Sequence, residues 1–496
     1  MTMAATGLWK NLAAWDPTPL RKALHEGGFQ HESFAALGLP EHWLRAAVPR
    51  AALLGYAAEG SPVETLLRLF TLGDAVEGEL ALHVLGEAIH GLLELGFITA
   101  GGGVVRSYYQ LCPVGSGWIA CDFQYRQQED CSDYVMGVGP SSVLLASLTP
   151  RNLPGRALEL ASGIGWLAGN LSESGMAVVA TDLSLRALDL GRFAARLNGT
   201  EGIDFRHGDG FSTVVGECFD LIVANPPYVQ SPGGNMTYRE SPAGDPICAR
   251  LLREIPQHLT PGGLAVILIN WTHADDKDWE QAPLSWSPAA GTRRWLFRSE
   301  CASPTDYAWK WIAGDLRFLG EEKALAEMKR WQAWYRETGV QRVSGGFMVI
   351  QKCALGSEWT RTDSRTTADI GTFAGAEILR IFQNETWLTT DPPLLDSFFT
   401  VPEGVLVEAQ MSLGPVGWNR DTLRLTSPDR LSYDGQVDEN ILRLLALARE
   451  GRCPNAMLAE ILAKPAFASV PDISERITGL VRELVSHGLL VPIPTG

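Results

Sequence analysis

The chain has 496 residues, of which 46% are hydrophobic and 20% charged, and carries a formal charge of −16 at pH 7. That length predicts about three domains of roughly 100–200 residues each, and the acidic balance excludes a protein that coats nucleic acid through phosphate contacts alone, though not a local basic patch. No apolar run nears the roughly 20 residues needed to cross a bilayer, and the N-terminus lacks the apolar core of a signal peptide, so a cytoplasmic location with no membrane attachment is expected.

Residues 1–125 read as helical and then β. Apolar spacing predicts helices over Pro62–Leu72 and Leu80–Leu95. Phe97-Ile98-Thr99, the turn Gly101-Gly102-Gly103 and Val104-Val105 then predict a glycine-turned hairpin, an order that suggests a winged-helix-like recognition domain. It carries no basic stripe, which favours a packing or partner-docking module over a nucleic-acid reader.

Residues 126–355 alternate short β runs with helical stretches, the pattern of a sheet wound with helices on both faces. Arg156–Leu160, Ala177–Thr181, Ile203–Arg206, Phe219–Ala224 and Leu264–Ile269 are the candidate strands. Ser184 is a candidate helix cap, Leu185, Leu188 and Leu197 form a helical stripe, and Asn198-Gly199 is its stop. A later helix is expected over Glu321–Glu337, then a turn at Gly345-Gly346 and an apolar strand within Val343–Lys352. Residues 356–496 read as a C-terminal α+β domain. It begins with a β-leaning region and ends in helices near Glu439–Glu450, Asn455–Lys464 and Ile473–His487, with Leu489-Leu490-Val491 closing a winged-helix-like tail. Eight cysteines, at 112, 121, 131, 218, 248, 301, 353 and 453, show no CxxC pair or Cys/His cluster, so neither a disulfide framework nor a metal site is expected.

Four signals in the central segment carry chemistry. The first, Glu159-Leu160-Ala161-Ser162-Gly163-Ile164-Gly165, is a strand entering a glycine turn and then a helix; it reads either as a tight connection or as a close approach to a ligand. In the second, Asp182 ends the next strand, where a carboxylate can accept both hydroxyls of a ribose or cap a helix. The third, His207-Gly208-Asp209-Gly210, offers a carboxylate to an adenine amino group, or is a plain turn. The most specific is Phe219 to Tyr228, a strand ending in Asn225-Pro226-Pro227-Tyr228. An amide or aniline-like nitrogen delocalises its lone pair and must be aimed to react. An Asn carbonyl and a proline carbonyl can each accept one N–H of an NH2 group, the prolines stiffen that backbone, and Tyr228 can stack on a flat substrate.

Residues 130–352 resemble class I methyltransferases with the NPPY motif, especially HemK-type glutamine methyltransferases of release factors and related ribosomal RNA guanine methyltransferases. The flanking segments resemble those of a subgroup with extra N- and C-terminal domains. The resemblance implies a Rossmann-like α/β core with a seven-stranded sheet and S-adenosyl-L-methionine over the first two strand ends. It implies a cofactor-binding set of Glu159, Ala161, Gly163, Gly165, Asp182, Leu183, Asp209, Gly210 and Asn225, and a catalytic set of Asn225, Pro226, Pro227 and Tyr228. Two departures stand out: Ala161 replaces the first glycine of the cofactor turn, and Gly233 to Glu240 lacks the Glu-Pro pattern of release-factor enzymes. Asp133 to Ser142 sits where the family closes a flap. Asn270-Trp271, after the fifth strand, lines a substrate pocket or belongs to the core. The expected activity is transfer of a methyl group to a planar NH2 nitrogen of a protein or peptide amide. An exocyclic amine of an RNA or DNA base is the alternative, and a non-catalytic scaffold with the same fold is the third reading.

Overall fold

The computed structural model describes residues 9, 11–35, 50–55, 57–124, 126, 133–151, 153–200, 202–233, 239, 246–366, 370–415, 417–463 and 472–493. Most of the expected loop Gly233 to Glu240 lies outside them, as do Cys131 and Lys464. The chain divides into two compact units, residues 1–145 with 153–364, and residues 146–152 with 365–496.

In the first unit, the stretch expected as one helix over Leu80–Leu95 is two, Gly78–Leu85 and Ala88–Leu95. Gly86 separates them at φ 52° and ψ −131°, a backbone geometry that only glycine adopts without strain. The segment Pro62–Leu72 begins as an α-helix capped by the Ser61 side chain and widens to a π-helical turn over Leu67–Leu72. Strands β1 (Val76–Glu77), β2 (Ile98–Gly101) and β3 (Val104–Ser107) form a small antiparallel sheet in the order β1-β3-β2, and β4 (Gln110–Val114) pairs with β5 (Gly117–Cys121). These N-terminal elements share a core with the α/β part of the unit. Phe193, on the helix Leu185–Asn198, stacks on Trp15 at 4.8 Å and on Phe97 at 4.7 Å. The Asn198 side chain completes the join by accepting from the Trp118 N–H and donating to the Trp118 carbonyl.

The α/β part is built on β6 (Arg156–Leu160), β7 (Ala177–Asp182), β8 (Asp204–His207), β9 (Phe219–Ala224), β10 (Leu259–His273), β11 (Thr292–Ala302), β12 (Arg342–Lys352) and β13 (Trp359–Ser364). The sheet order is β13-β11-β12-β10-β9-β6-β7-β8. It has eight strands where seven were expected, because β13 adds in parallel to the edge of β11. The run from β10 through β9, β6 and β7 to β8 is parallel, so the ends of β6 to β9 open on one edge, where the order of connection reverses. The strands β6, β7 and β9 are mostly buried, as strands covered on both faces require, while the edge strand β8 is polar and half-buried to exposed.

The expected turn at Gly345-Gly346 is not a turn. Both glycines lie inside β12, paired with β10 on one side and β11 on the other. The pairing shifts register between Arg298 and Glu300, and a Cβ at Gly346 would fall 1.9 Å from the Phe297 carbonyl oxygen. The glycine therefore permits close backbone approach at a bulge rather than a chain reversal. Between β11 and β12 the chain inserts two helices, Pro304–Leu319 and Glu321–Thr338.

The second unit packs Leu388, Phe399, Leu444, Val481 and Leu484 around the helices Ala374–Leu388, Glu439–Arg449, Pro454–Leu462 and Ile473–Ser486. Its strands are β14 (Phe399–Thr400), paired with β18 (Val491–Pro492), and β15 (Leu406–Gly414), β16 (Gly417–Thr426) and β17 (Asp434–Gln436), in that order. Buried Asn384 donates to the carbonyls of Val485 and Leu490 and so ties the chain end to the first of the helices. No helix among the described residues is long and apolar enough to cross a membrane.

Candidate active site

The sheet brings all four sequence signals to one edge, because β6, β7, β8 and β9 are neighbours and each signal follows the C-terminal end of its strand. After β6 the backbone takes positive φ at Ala161 (51°), Gly163 (54°) and Gly165 (64°). Gly165 is required by packing as well as by its angle, since a Cβ there would stand 2.7 Å from the Phe205 ring. A Cβ at Gly163 would meet nothing within 4 Å, so this side of the turn faces open space.

The two acids organise that turn. Asp182 accepts the Gly163 N–H through Oδ2 at 2.7 Å and the Ser184 N–H through Oδ1 at 2.7 Å, binding the end of β7 to the turn after β6. Glu159 is buried and accepts the Ala168 N–H at 2.7 Å, in the first turn of the helix Trp166–Glu173. Burial pushes the Glu159 carboxyl up to about 8, opposed by that N–H, while the neighbouring Asp182 charge pushes it further up. Burial likewise raises Asp182, with the Ser184 and Gly163 N–H groups pulling back. Two acids whose pKa values desolvation raises, one beside an open turn, are poised to pair with a cationic or hydroxyl-bearing ligand. The hydroxyls of Ser162 and Thr181 are buried beside them without a hydrogen-bond partner among the described residues. Leu183 is 68% exposed and offers an apolar surface at the same edge.

Asp209 stands differently. Both its oxygens are held by Arg250, at 2.6 and 2.7 Å, and this fork lowers its carboxyl. A ligand amino group would have to share that carboxylate with the guanidinium. Gly210, next to it, takes φ 54°.

The Asn225-Pro226-Pro227-Tyr228 segment leaves β9 beside the Gly163 turn. Asn225 Nδ2 donates to Ser141 Oγ at 3.2 Å, which directs the amide NH2 away and leaves Oδ1 as the open acceptor. Among the described residues no donor reaches Asn225 Oδ1 or the Pro226 carbonyl oxygen. Pro226 is buried, and Tyr228 is half-buried against apolar clusters of both the sheet and the inserted helices.

Several residues of this region escaped the sequence reading. Gln230 is gripped on both sides: Tyr307 OH accepts its N–H at 3.3 Å and Tyr335 OH donates to its carbonyl at 2.8 Å. Its side chain donates to the Tyr228 carbonyl at 3.3 Å, and Asn270 donates to Tyr307 OH at 2.6 Å. Arg330 donates to the Gly233 carbonyl at 2.9 Å. Tyr307, Arg330 and Tyr335 lie on the inserted helices, more than seventy positions from the motif they hold, and no spacing rule links them to it. Trp271 is fully buried and belongs to the core, and Asn270, also buried, is linked to Gln230 through the Tyr307 hydroxyl.

The methyltransferase small domain family matches residues 136–278, the segment that carries this whole edge. The first unit carries a HemK-like class I methyltransferase domain. A release factor glutamine methyltransferase of Koribacter versatilis is 32% identical over 153 residues, 27% of this chain and 54% of that protein. A ribosomal protein uL3 glutamine methyltransferase of Bradyrhizobium diazoefficiens is 32% identical over 149 residues, 26% of this chain and 46% of that protein. A ribosomal RNA small subunit methyltransferase C of Alcanivorax borkumensis is 30% identical over 132 residues, 26% of this chain and 37% of that protein. The chain thus spans about half or less of the length of the curated relatives it matches. In the second unit, a domain of unknown function (DUF7782) matches residues 380–492.

Proposed function

We propose that this chain is an S-adenosylmethionine-dependent N-methyltransferase whose acceptor is a planar NH2 group, a glutamine-type amide of a protein or peptide. The observation that carries this is the pair of acceptor oxygens, Asn225 Oδ1 and the Pro226 carbonyl, left without donors at the end of β9 next to the open Gly163 turn. An NH2 group has two N–H donors in one plane and can satisfy both oxygens at once, whereas a hydroxyl has a single hydrogen.

The residues present fit the cofactor. The open face at Gly163, the orphan hydroxyls of Ser162 and Thr181, and the Glu159 and Asp182 carboxyls would hold a ligand that is cationic at one end and carries ribose hydroxyls. Leu183 would cover the adenine face and Asp209 would share its carboxylate between Arg250 and the adenine. S-adenosylmethionine, when bound, supplies an activated methyl group. The chain's own part is orientation: Asn225 and Pro226 fix the substrate nitrogen, Tyr228 lies along its plane, and Ser141 fixes Asn225.

A protein acceptor also suits the chain's charge of −16, which attracts basic partners and repels polyphosphates. We place the substrate-docking role on residues 1–125 and on the C-terminal region. A nucleic-acid base is the second reading, supported by the likeness to the ribosomal RNA relative. Labelled methyl transfer into cell extract, followed by parallel protease and nuclease digestion, tests both. Label lost to protease supports the amide reading, and label lost to nuclease overturns it in favour of a base. No label together with no cofactor binding leaves a scaffold.

A further inference from the structure

The second unit contains a pocket of about 530 Å³ that the methyl-transfer reading does not use. Phe373, Pro402 and Pro428 give it apolar walls, and Arg380, Glu403 and Asp429 give it charge. Arg380 is half-buried, on the helix Ala374–Leu388, and its Nε donates to the Gly488 carbonyl at 3.0 Å. Its Nη2 is buried and has no hydrogen-bond partner among the described residues. A buried guanidinium N–H left unpaired is costly, and because Arg380 lines the pocket an acceptor brought in from that side would relieve the cost.

The neighbouring acids do not fill that role. Glu377 is fully buried and spends its carboxylate on the Ser432 N–H and hydroxyl and on the Asp429 N–H. Asp429 accepts the Phe373 N–H at 3.1 Å. Both act on Arg380 through space, and burial still lowers its affinity for its proton. Glu403 is exposed at the rim. The pocket therefore offers a guanidinium with an N–H group still unpaired, carboxylates that can take an N–H, and apolar surface between. A polyanion such as phosphate matches the first and is repelled by the second. The end of a polypeptide chain matches all three: a carboxylate, an amide N–H and one apolar side chain.

We propose that this pocket binds the free C-terminal residue of a polypeptide, with its carboxylate on Arg380, its amide N–H toward Asp429 or Glu403, and an apolar side chain against Phe373, Pro402 and Pro428. The site is independent of the methyl-transfer edge and stands or falls without it.

Isothermal titration of the full chain tests this with N-acetyl-L-phenylalanine, its C-terminal amide and hexanoate. The expected result is saturable binding of N-acetyl-L-phenylalanine, with the amide and hexanoate each weaker by at least about tenfold. Arg380→Gln and Phe373→Ala should each weaken the acid by a similar factor. Phe373 is 70% exposed, so its variant decides the matter even if loss of the Arg380 to Gly488 bond disturbs folding. Absence of heat with all three probes, equal binding of acid and amide, hexanoate binding as tightly as the N-acyl amino acid, or unchanged binding by the Phe373 variant would each overturn the proposal.

Discussion

The Gly163 N–H and the Asp182 carboxylate, nineteen positions apart, meet at 2.7 Å and close the turn after β6 onto the end of β7. The contact gives Asp182 two duties. It shapes the turn that faces open space, and it still has lone pairs for ligand hydroxyls, because a carboxylate offers about four acceptor sites and the two backbone N–H groups use two.

Replacing Asp182 with Ala should therefore weaken binding of S-adenosylhomocysteine by at least about tenfold, since a lost charged acceptor is worth roughly 1.5–3 kcal/mol. Calorimetry gives the dissociation constant directly. An affinity within twofold of the parent would leave Asp182 as a turn organiser only.

Glu159 makes the stability of the unliganded protein fall as pH rises. Its carboxyl is raised to about 8 in the fold, so the folded state keeps a proton that the unfolded chain releases near its ordinary value of 4.5. The stabilising contribution is whole below that value and is lost as pH climbs through about 8. Denaturant midpoints should decline over this window, and Glu159→Gln, which keeps an acceptor for Ala168, should flatten the decline. A Gln variant with the parent's pH profile would remove Glu159 from the account.

Ala161 sits at φ 51°, where a side chain is strained. Ala161→Gly should gain about 1 kcal/mol in chemical denaturation, the left-handed strain of roughly 1–3 kcal/mol less the extra entropy of a glycine in the unfolded chain. A loss of stability would mean that the Ala161 methyl group makes packing contacts worth more than the strain.

The two tyrosines on the inserted helices should differ in effect. Tyr307→Phe strands two donors, Asn270 Nδ2 and the Gln230 N–H, whereas Tyr335→Phe strands one carbonyl. Native-state hydrogen exchange should show residues 229–233 opening more readily in both variants, and the Tyr307 variant should lose more global stability, about 1–3 kcal/mol. Unchanged protection of Gln230 would show that the helices do not hold the motif.

Much of this arrangement was legible in the sequence because it is local. The strand ends at Leu160, Asp182 and Ala224 and the Ser184 cap follow from short-range patterns that backbone geometry enforces. Ser184 caps the Ala187 N–H as its position implied. What escaped was non-local. Gly345-Gly346 has the composition of a turn, and only the pairing on both sides of β12 shows that it allows close approach. The break at Gly86 was hidden by apolar spacing that continues through it. The extra strand β13 alternates half-buried and exposed residues at a sheet edge, a weak pattern within a region read only as β-leaning. Arg250, Tyr307 and Tyr335 reach the site from distant elements, and their roles depend on the fold rather than on their neighbours in the chain; Ser141 lies in the segment expected as a flap, and only its bond to Asn225 was not foreseen.

The central claim, that Asn225 handles the acceptor nitrogen and not the cofactor, is tested most directly in Asn225→Ala by measuring labelled methyl transfer and S-adenosylhomocysteine affinity on the same preparation. Transfer is expected to fall by more than about a hundredfold with cofactor affinity within a few-fold of the parent. Equal losses in both quantities, or transfer at the parent's rate, would contradict that claim.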